Sequence, residues 1–311
     1  MTIRTTVCDL LGVEHPVGNA GMAGVAQPEL CAAVAEAGGI ACVAMAGATT
    51  GEVTERVAMV KALTNRPFSA NFIAWVIEDD PSPLHAAIDA GVASVTVSFG
   101  DPGAHVDRIH AAGSLLVNQV QTLEGARRAV DVGADVIIAQ GSDAGGHTGQ
   151  TPLFPLLPQI VDIAGDVPVL AAGGIADGRG LAASLMLGAQ GALMGTRFIV
   201  ADEAESRWPH LPDQVLGATG DDSVWTRAID IADGQGRSLW PDGIGARSIR
   251  TPWIDRWVGH EDEMAEQLRA EPGPDEVSGQ DPTPASASAA AGIVYRAETA
   301  AECVGRVVAD A

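Results

Sequence analysis

The sequence predicts an α/β fold, a (β/α)8 TIM barrel carrying an added, mainly helical segment near the barrel mouth. Three observations carry that expectation: short apolar, β-branched runs alternate with helical patterns, the alternation repeats eight times within roughly 200 residues, and glycines punctuate the helix ends. The runs read as strands at Pro16–Asn19, Ile40–Ala44, Phe68–Ile73, Ala93–Val97, Leu115–Asn118, Asp135–Ala139, Val167–Ala171 and Ala192–Met194. Between them, "PELCAAVAEAGG" opens on a proline and closes on glycines, and "TLEGARRAVDVGA" opens on a threonine cap. The recurring "AGG", "AGV", "AAG" and "VGA" are the C-cap glycines such units need.

Residues 1–200 therefore form the barrel. After it the texture changes: Trp208, Trp225, Trp240, Trp253 and Trp257 crowd into one stretch together with the polar helix "HEDEMAEQLRAE". We expect 201–285 to be a helical addition or cap, with the tryptophans anchoring its packing or one of them lining a substrate site. "EPGPDEVSGQDPTPASASAAAG" reads as an irregular connection, a linker or a lid. Residues 286–311 then form a C-terminal segment whose helix, "AETAAECVGRVVAD", returns to the barrel.

Composition narrows the function. With 47% hydrophobic residues in 311, the chain can bury a large core. Acidic residues outnumber basic ones by 40 to 18, for a net charge of −22, which argues against binding phosphate backbones. No apolar run is long enough to span a membrane and no secretory pattern opens the sequence. The expected setting is cytoplasmic and the expected partner a small-molecule substrate, with no nucleic acid and no membrane; association into a homo-oligomer is left open. Cys8, Cys31, Cys42 and Cys303 are scattered, without the spacing of a disulfide framework, a zinc site or an iron–sulfur cluster. Lys61 is the only lysine and lies in a helical stretch, so a Schiff base has no good candidate.

In a barrel of this type the chemistry sits at the carboxyl ends of the strands. There the sequence places "NAGMAG" after strand one, Asn71 at strand three, Gln119 in "NQVQ" after strand five, and Gln140 followed by "GSDAGGHTG" after strand six. That last run holds His147 among glycines. Glycine permits positive φ and lets a ligand approach the main chain, so a ligand held against backbone is one reading and a plain surface loop the other. Gly173 and Gly174 after strand seven, with Gly195 and Thr196 after strand eight, stand where barrels commonly bind phosphate.

"PVGNAGMAGVAQPELCAAVAEAGGIA", "IIAQGSDAGGHTG" and "PVLAAGGIADGRGLAASLMLGAQGALMGTRF" resemble the nitronate monooxygenase family, formerly the 2-nitropropane dioxygenases, which are FMN-dependent barrels. The histidine-bearing run is the most specific of the three and is shared with a flavin-dependent enoyl reductase branch. The resemblance implies that Ala20, Gly21 and Met22 touch the flavin, that Asn71 and Gln140 hydrogen-bond near it, and that Gly145 and Gly146 approach it by backbone. It also implies that Gly173, Gly174, Gly195 and Thr196 hold the phosphate and that His147 is catalytic. Gln119 and Ala172, at neighbouring strand ends, complete the expected cofactor set.

An imidazole titrating near neutrality can take or give a proton at a carbon beside a nitro or carbonyl group while a flavin carries the electrons. The expected activity is oxidation of alkyl nitronates with O2. The alternative is an NAD(P)H-dependent FMN reductase of an enone, quinone or enoyl thioester. Typical members read A-P-M where this chain has Ala20-Gly21-Met22, and Tyr295 is the only tyrosine, with no lysine after it. The missing tyrosine and lysine weigh toward the alternative. A non-catalytic phosphate-binding barrel and a phosphosugar isomerase complete the set of readings.

Overall fold

The computed structural model describes residues 3–206, 208–270 and 285–311. In chain order the first nine strands are β1 (Val17–Asn19), β2 (Cys42–Ala44), β3 (Ser69–Ile73), β4 (Ser94–Ser98), β5 (Leu115–Val120), β6 (Val136–Gln140), β7 (Gly146–Thr148), β8 (Val169–Ala172) and β9 (Gly191–Met194). All but β7 pair in parallel, in the order β1-β9-β8-β6-β5-β4-β3-β2. A single parallel bridge between Gly18 and Ile40 closes the ring. That seam needs glycine: a Cβ on Gly18 would lie 1.8 Å from the Ile40 carbonyl oxygen.

The expected strands are all present, with shifted ends. β8 begins at Val169 instead of Val167, after Pro168, which has no N–H to donate to a ladder but whose carbonyl still accepts from Ile137. β5 runs on to Val120 because Gln119 pairs with Ser98 of β4, so Gln119 lies within the strand and not in the loop expected after it.

The helices pack outside the ring, burying Leu30, Val34, Val57, Leu84, Ile109, Leu156, Ile160 and Val304 in one continuous apolar layer. Their starts are fixed locally. Thr49 and Glu52 form a capping box, Thr122 accepts from the Gly125 N–H, and Asp177 accepts from the Gly180 N–H, each cap contributing about 1 kcal/mol. The final helix, Ala300–Ala309, returns to pack on Pro28–Glu36 and Gly178–Met186.

Inside the ring, Val117, Val136, Ile138, Leu170 and Leu193 form an apolar half, with Val7 and Cys8 of the helix Thr6–Leu11 packed beneath them. The facing half carries the small side chains Cys42, Ser69, Ser94 and Thr96 and leaves a cavity of about 330 Å³. Barrel interiors are ordinarily filled by bulky branched residues.

The segment after the barrel holds the helices Leu211–Gly217, Ala228–Asp233, Pro252–Trp257 and Glu261–Ala270. It also holds two strands the sequence reading did not anticipate, β10 (Ser223–Thr226) and β11 (Gly245–Ile249). β11 pairs antiparallel with both β10 and β7, so the glycine-rich run after β6 is partly an edge strand, with Ala246 opposite His147. Trp253 and Trp257 are buried against Ala228, Ile231, Met264 and Leu268. Of the irregular connection read at 271–292, residues 271–284 lie outside the described residues; from Ala285 the chain runs along the barrel mouth, with Ala285 and Ala287 fully buried.

A buried ion network ties that C-terminal segment to the end of β9. Glu298 pairs with Arg197 and with Arg306 at 2.6 Å, and Arg197 also donates to the Arg296 carbonyl. Arg179, the other arginine near the glycine turns, pairs with Asp177 on the surface. Among the described residues no helix is long and apolar enough to cross a membrane, and no group of His, Cys, Asp and Glu could hold a metal ion.

Candidate active site at the barrel mouth

A cavity of about 410 Å³ opens at the carboxyl ends of the strands. Small-molecule and cofactor sites span roughly 300–1,000 Å³. The structure gathers every residue expected from sequence around it: Ala20, Gly21, Met22, Asn71, Gln119, Gln140, Gly145, Gly146, His147, Ala172, Gly173, Gly174, Gly195 and Thr196.

The polar groups are aimed by their neighbours. Asn71 donates to the Ser98 hydroxyl at 3.0 Å. Gln140 donates to the His147 carbonyl at 3.1 Å and accepts from Gln121 at 2.9 Å, so its amide is fixed on both sides. At the other end Gly173 and Gly174 take φ of 112° and 69°, a turn that keeps side chains out of the cleft and that L-residues with a Cβ rarely adopt. A Cβ at Gly173 would also come within 2.9 Å of the Ala144 nitrogen. The Thr196 hydroxyl accepts from the Ser288 N–H at 2.8 Å, and Ser286 and Ser288 line the cavity beside it. This wall was not visible in sequence, because it is built by a segment that returns from 92 residues away.

His147 has a defined surrounding. Its Nε2 lies 2.7 Å from Oδ1 of Asp230, whose side chain is 3% exposed. Its ring stacks on Trp240 with centroids 3.6 Å apart and planes 14° from parallel. Trp240 in turn meets Trp75 and Phe99 edge-on, at 5.6 and 4.9 Å. Phe99 sits at φ 61°, a conformation uncommon for a residue with a side chain, and this strained turn directs its ring against Trp240. Asp230, Phe99 and Trp75 were missed by sequence reasoning as site residues; Trp240 belongs to the tryptophans after residue 201, read there as packing anchors with a substrate-lining role for one of them as the alternative.

The four thiols are not part of this chemistry. All four cysteines are buried, and burial pushes Cys42 up to about 12 and Cys303 up to about 11, with Cys31 also well above the ordinary range. A thiol held neutral is a poor nucleophile. Among the described residues no Lys or Arg lines the cavity, while Asp233 does.

A cleft of this size, with glycine turns at one end and amide side chains at the other, suits a flat cofactor carrying a phosphate. The family model described as nitronate monooxygenase matches residues 4–231. The chain is 38% identical over 233 residues to the (3aS,4S,5R,7aS)-5-hydroxy-7a-methyl-1-oxo-octahydro-1H-indene-4-carboxyl-CoA dehydrogenase of Rhodococcus jostii, over 74% of this chain and 64% of that relative's length. It is 31% identical to a probable nitronate monooxygenase of Staphylococcus saprophyticus, over 85% of this chain and 83% of the relative. Among solved structures, FabK from Thermotoga maritima superposes with a TM-score of 0.86 at 30% identity, covering 99% of this chain and 96% of that one. The nitroalkane oxidase from Streptomyces ansochromogenes superposes at 0.80 with 27% identity, covering 98% and 97%.

These matches put the chain among the FMN-dependent oxidoreductases. It belongs to the nitronate monooxygenase family.

Proposed function

We propose that this chain holds FMN in the mouth cavity and uses His147 to move a proton at a substrate carbon beside a nitro or carbonyl group. The observation that carries the reading is His147 itself: an imidazole on the cavity wall, stacked on Trp240 and bonded to a buried carboxylate. Gly173, Gly174, Gly195 and Thr196 would hold the phosphate, and Asn71, Gln119 and Gln140 would hydrogen-bond the ring system. FMN, when bound, supplies the two-electron carrier that no side chain can provide. The protein's part is to orient the substrate between that ring and His147 and to exclude bulk water with Trp240 and Phe99.

The family description and the Staphylococcus relative's name support alkyl nitronates, with O2, as the substrate class. A second reading, a carbonyl-conjugated substrate with NAD(P)H as donor in the reducing direction, is favoured by the charge of the cavity. Among its described lining residues there is no Lys or Arg, a lining that suits a neutral carbonyl compound better than a nitronate anion. The name of the Rhodococcus relative, a dehydrogenase of an oxo-bearing acyl-CoA, supports a carbonyl-bearing substrate, though it names the oxidising direction.

Anaerobic addition of an alkyl nitronate, NADH or NADPH in separate cuvettes tests both. Bleaching of the flavin by the nitronate alone is the result expected of the first reading. Bleaching only by a nicotinamide selects the second, and bleaching by none of them overturns both. The phosphate end has its own test. Gly174→Val sets a β-branched side chain at φ 69°, with a Cβ 3.1 Å from that of Asp143. We expect the purified variant to lose most of its flavin absorbance while its far-ultraviolet circular dichroism is unchanged; full flavin content would remove this turn from the cofactor site.

A further inference from the structure

We propose that Asp230 is a positioning residue for His147, one that sets which ring nitrogen exchanges protons with the substrate; the inference rests on the reading of His147 given above. Asp230 reaches the site from the helix Ala228–Asp233, 83 residues along the chain from His147 and outside the barrel. Its side chain has left water almost completely, and its Oδ2 is buried with no partner among the described residues. His147 is then its one side-chain hydrogen-bond partner among those residues. A buried carboxylate is tolerated only where something compensates its charge.

An ionised carboxylate can only accept a hydrogen bond, so Nε2 must carry the ring proton. The neutral imidazole is thereby fixed as one tautomer, and Nδ1, which has no hydrogen-bond partner among the described residues, keeps the lone pair. Three further contacts hold the residue in place, one on the ring and two on the backbone that carries it. Trp240 covers one face, Gln140 holds the His147 carbonyl, and the backbone of β7 is laddered to β11. In whichever direction the proton travels, it travels at Nδ1, and the imidazolium that exists while Nδ1 is protonated lies against the Asp230 charge.

Among the described residues no other cation pairs with that charge. From β11, Arg247 faces the loop before His147, where it donates to the Ser142 carbonyl, close to Asp143. Asp143 accepts from the Leu153 N–H. The helix Glu261–Ala270 packs on Ala228–Asp233 through Met264, Ala265 and Leu268, and its Glu261 accepts from Thr226. Asp233, on the same helix as Asp230, lines the cavity.

A bond that only fastened the added segment to the barrel would leave turnover indifferent to Asp230 as long as the fold held. Two measurements separate the roles. In flavin-loaded protein with 15N-labelled histidines, the His147 ring signals, assigned by their loss in His147→Ala, should report the tautomer protonated at Nε2. In Asp230→Asn, the pH midpoint of kcat/KM assigned to His147 should fall by about one unit, because the imidazolium loses its counter-charge, and kcat should drop at least about 100-fold. An Nδ1-protonated ring in the wild type overturns the proposal, as does an Asp230→Asn enzyme with an unmoved midpoint and kcat within about threefold. Should Asp230→Asn fail to fold, the wild-type ring spectrum decides alone. Full activity in His147→Ala would sink the catalytic reading of the histidine itself, a distinct outcome that the ring spectrum does not produce.

Discussion

Replacing His147 with alanine is expected to lower turnover by roughly 10²- to 10⁴-fold, the range over which a positioned general acid or base contributes. The flavin should stay, because its expected contacts come from the glycine turns and from Asn71, Gln119 and Gln140, and the side chain of His147 adds only one wall of the cavity. Comparing kcat with the ratio of flavin to protein absorbance checks both halves. A fall in activity that tracks lost flavin would assign His147 to cofactor retention, and unchanged activity would remove it from the chemistry.

The second large effect concerns stability. Glu298→Ala leaves Arg197, 2% exposed, without its carboxylate in a place water does not reach. Removing one partner of a buried pair typically costs about 3–5 kcal/mol, because the surviving charge is uncompensated. Urea unfolding should register that loss as a lower midpoint at an unchanged slope. The exposed pairs Arg4–Asp9 and Arg66–Glu14 should be nearly silent in the same assay, since solvent already screens them.

The pH dependence has a definite sign. Burial by itself raises the Glu298 carboxyl, but the hydrogen bond from Arg306 and the charges of Arg197 and Arg306 outweigh it and hold the group below the ordinary glutamate range. A depressed folded value means that the contribution is complete above the unfolded glutamate value and is lost as pH falls through the folded one. The loss of stability in Glu298→Ala should therefore shrink on acidification. Because Arg197 follows Thr196, whose hydroxyl holds Ser288, loosening this network should also reduce flavin affinity.

The barrel was legible because parallel strands buried on both faces leave short, unbroken apolar runs, and the glycines after most barrel helices mark where the chain turns back. Strand ends were less so: the ladder is extended by pairings such as Gln119 with Ser98, which involve strands far apart in sequence. The same division runs through the site. Gly173, Gly174 and the histidine of "AGGH" announce themselves by local chemistry, since a positive φ or a close backbone approach demands glycine wherever the rest of the chain goes. Asp230, Trp240 and Phe99 have no local mark. Asp230 and Trp240 reach His147, and Phe99 reaches Trp240, across long stretches of chain, and the β11–β7 pairing beside them was hidden because Gly145 and Gly146 carry no side chains from which an alternating pattern could be read. Reading the run as a loop was the natural outcome of that silence.

The central claim is that the glycine-walled cavity at the barrel mouth binds FMN one to one, and the visible spectrum of the purified protein, followed by titration with FMN, tests it most directly. Stoichiometric flavin absorbance in the wild type, and its loss in Gly174→Val, is the result the account predicts. A protein that stays colourless after incubation with excess FMN would contradict it.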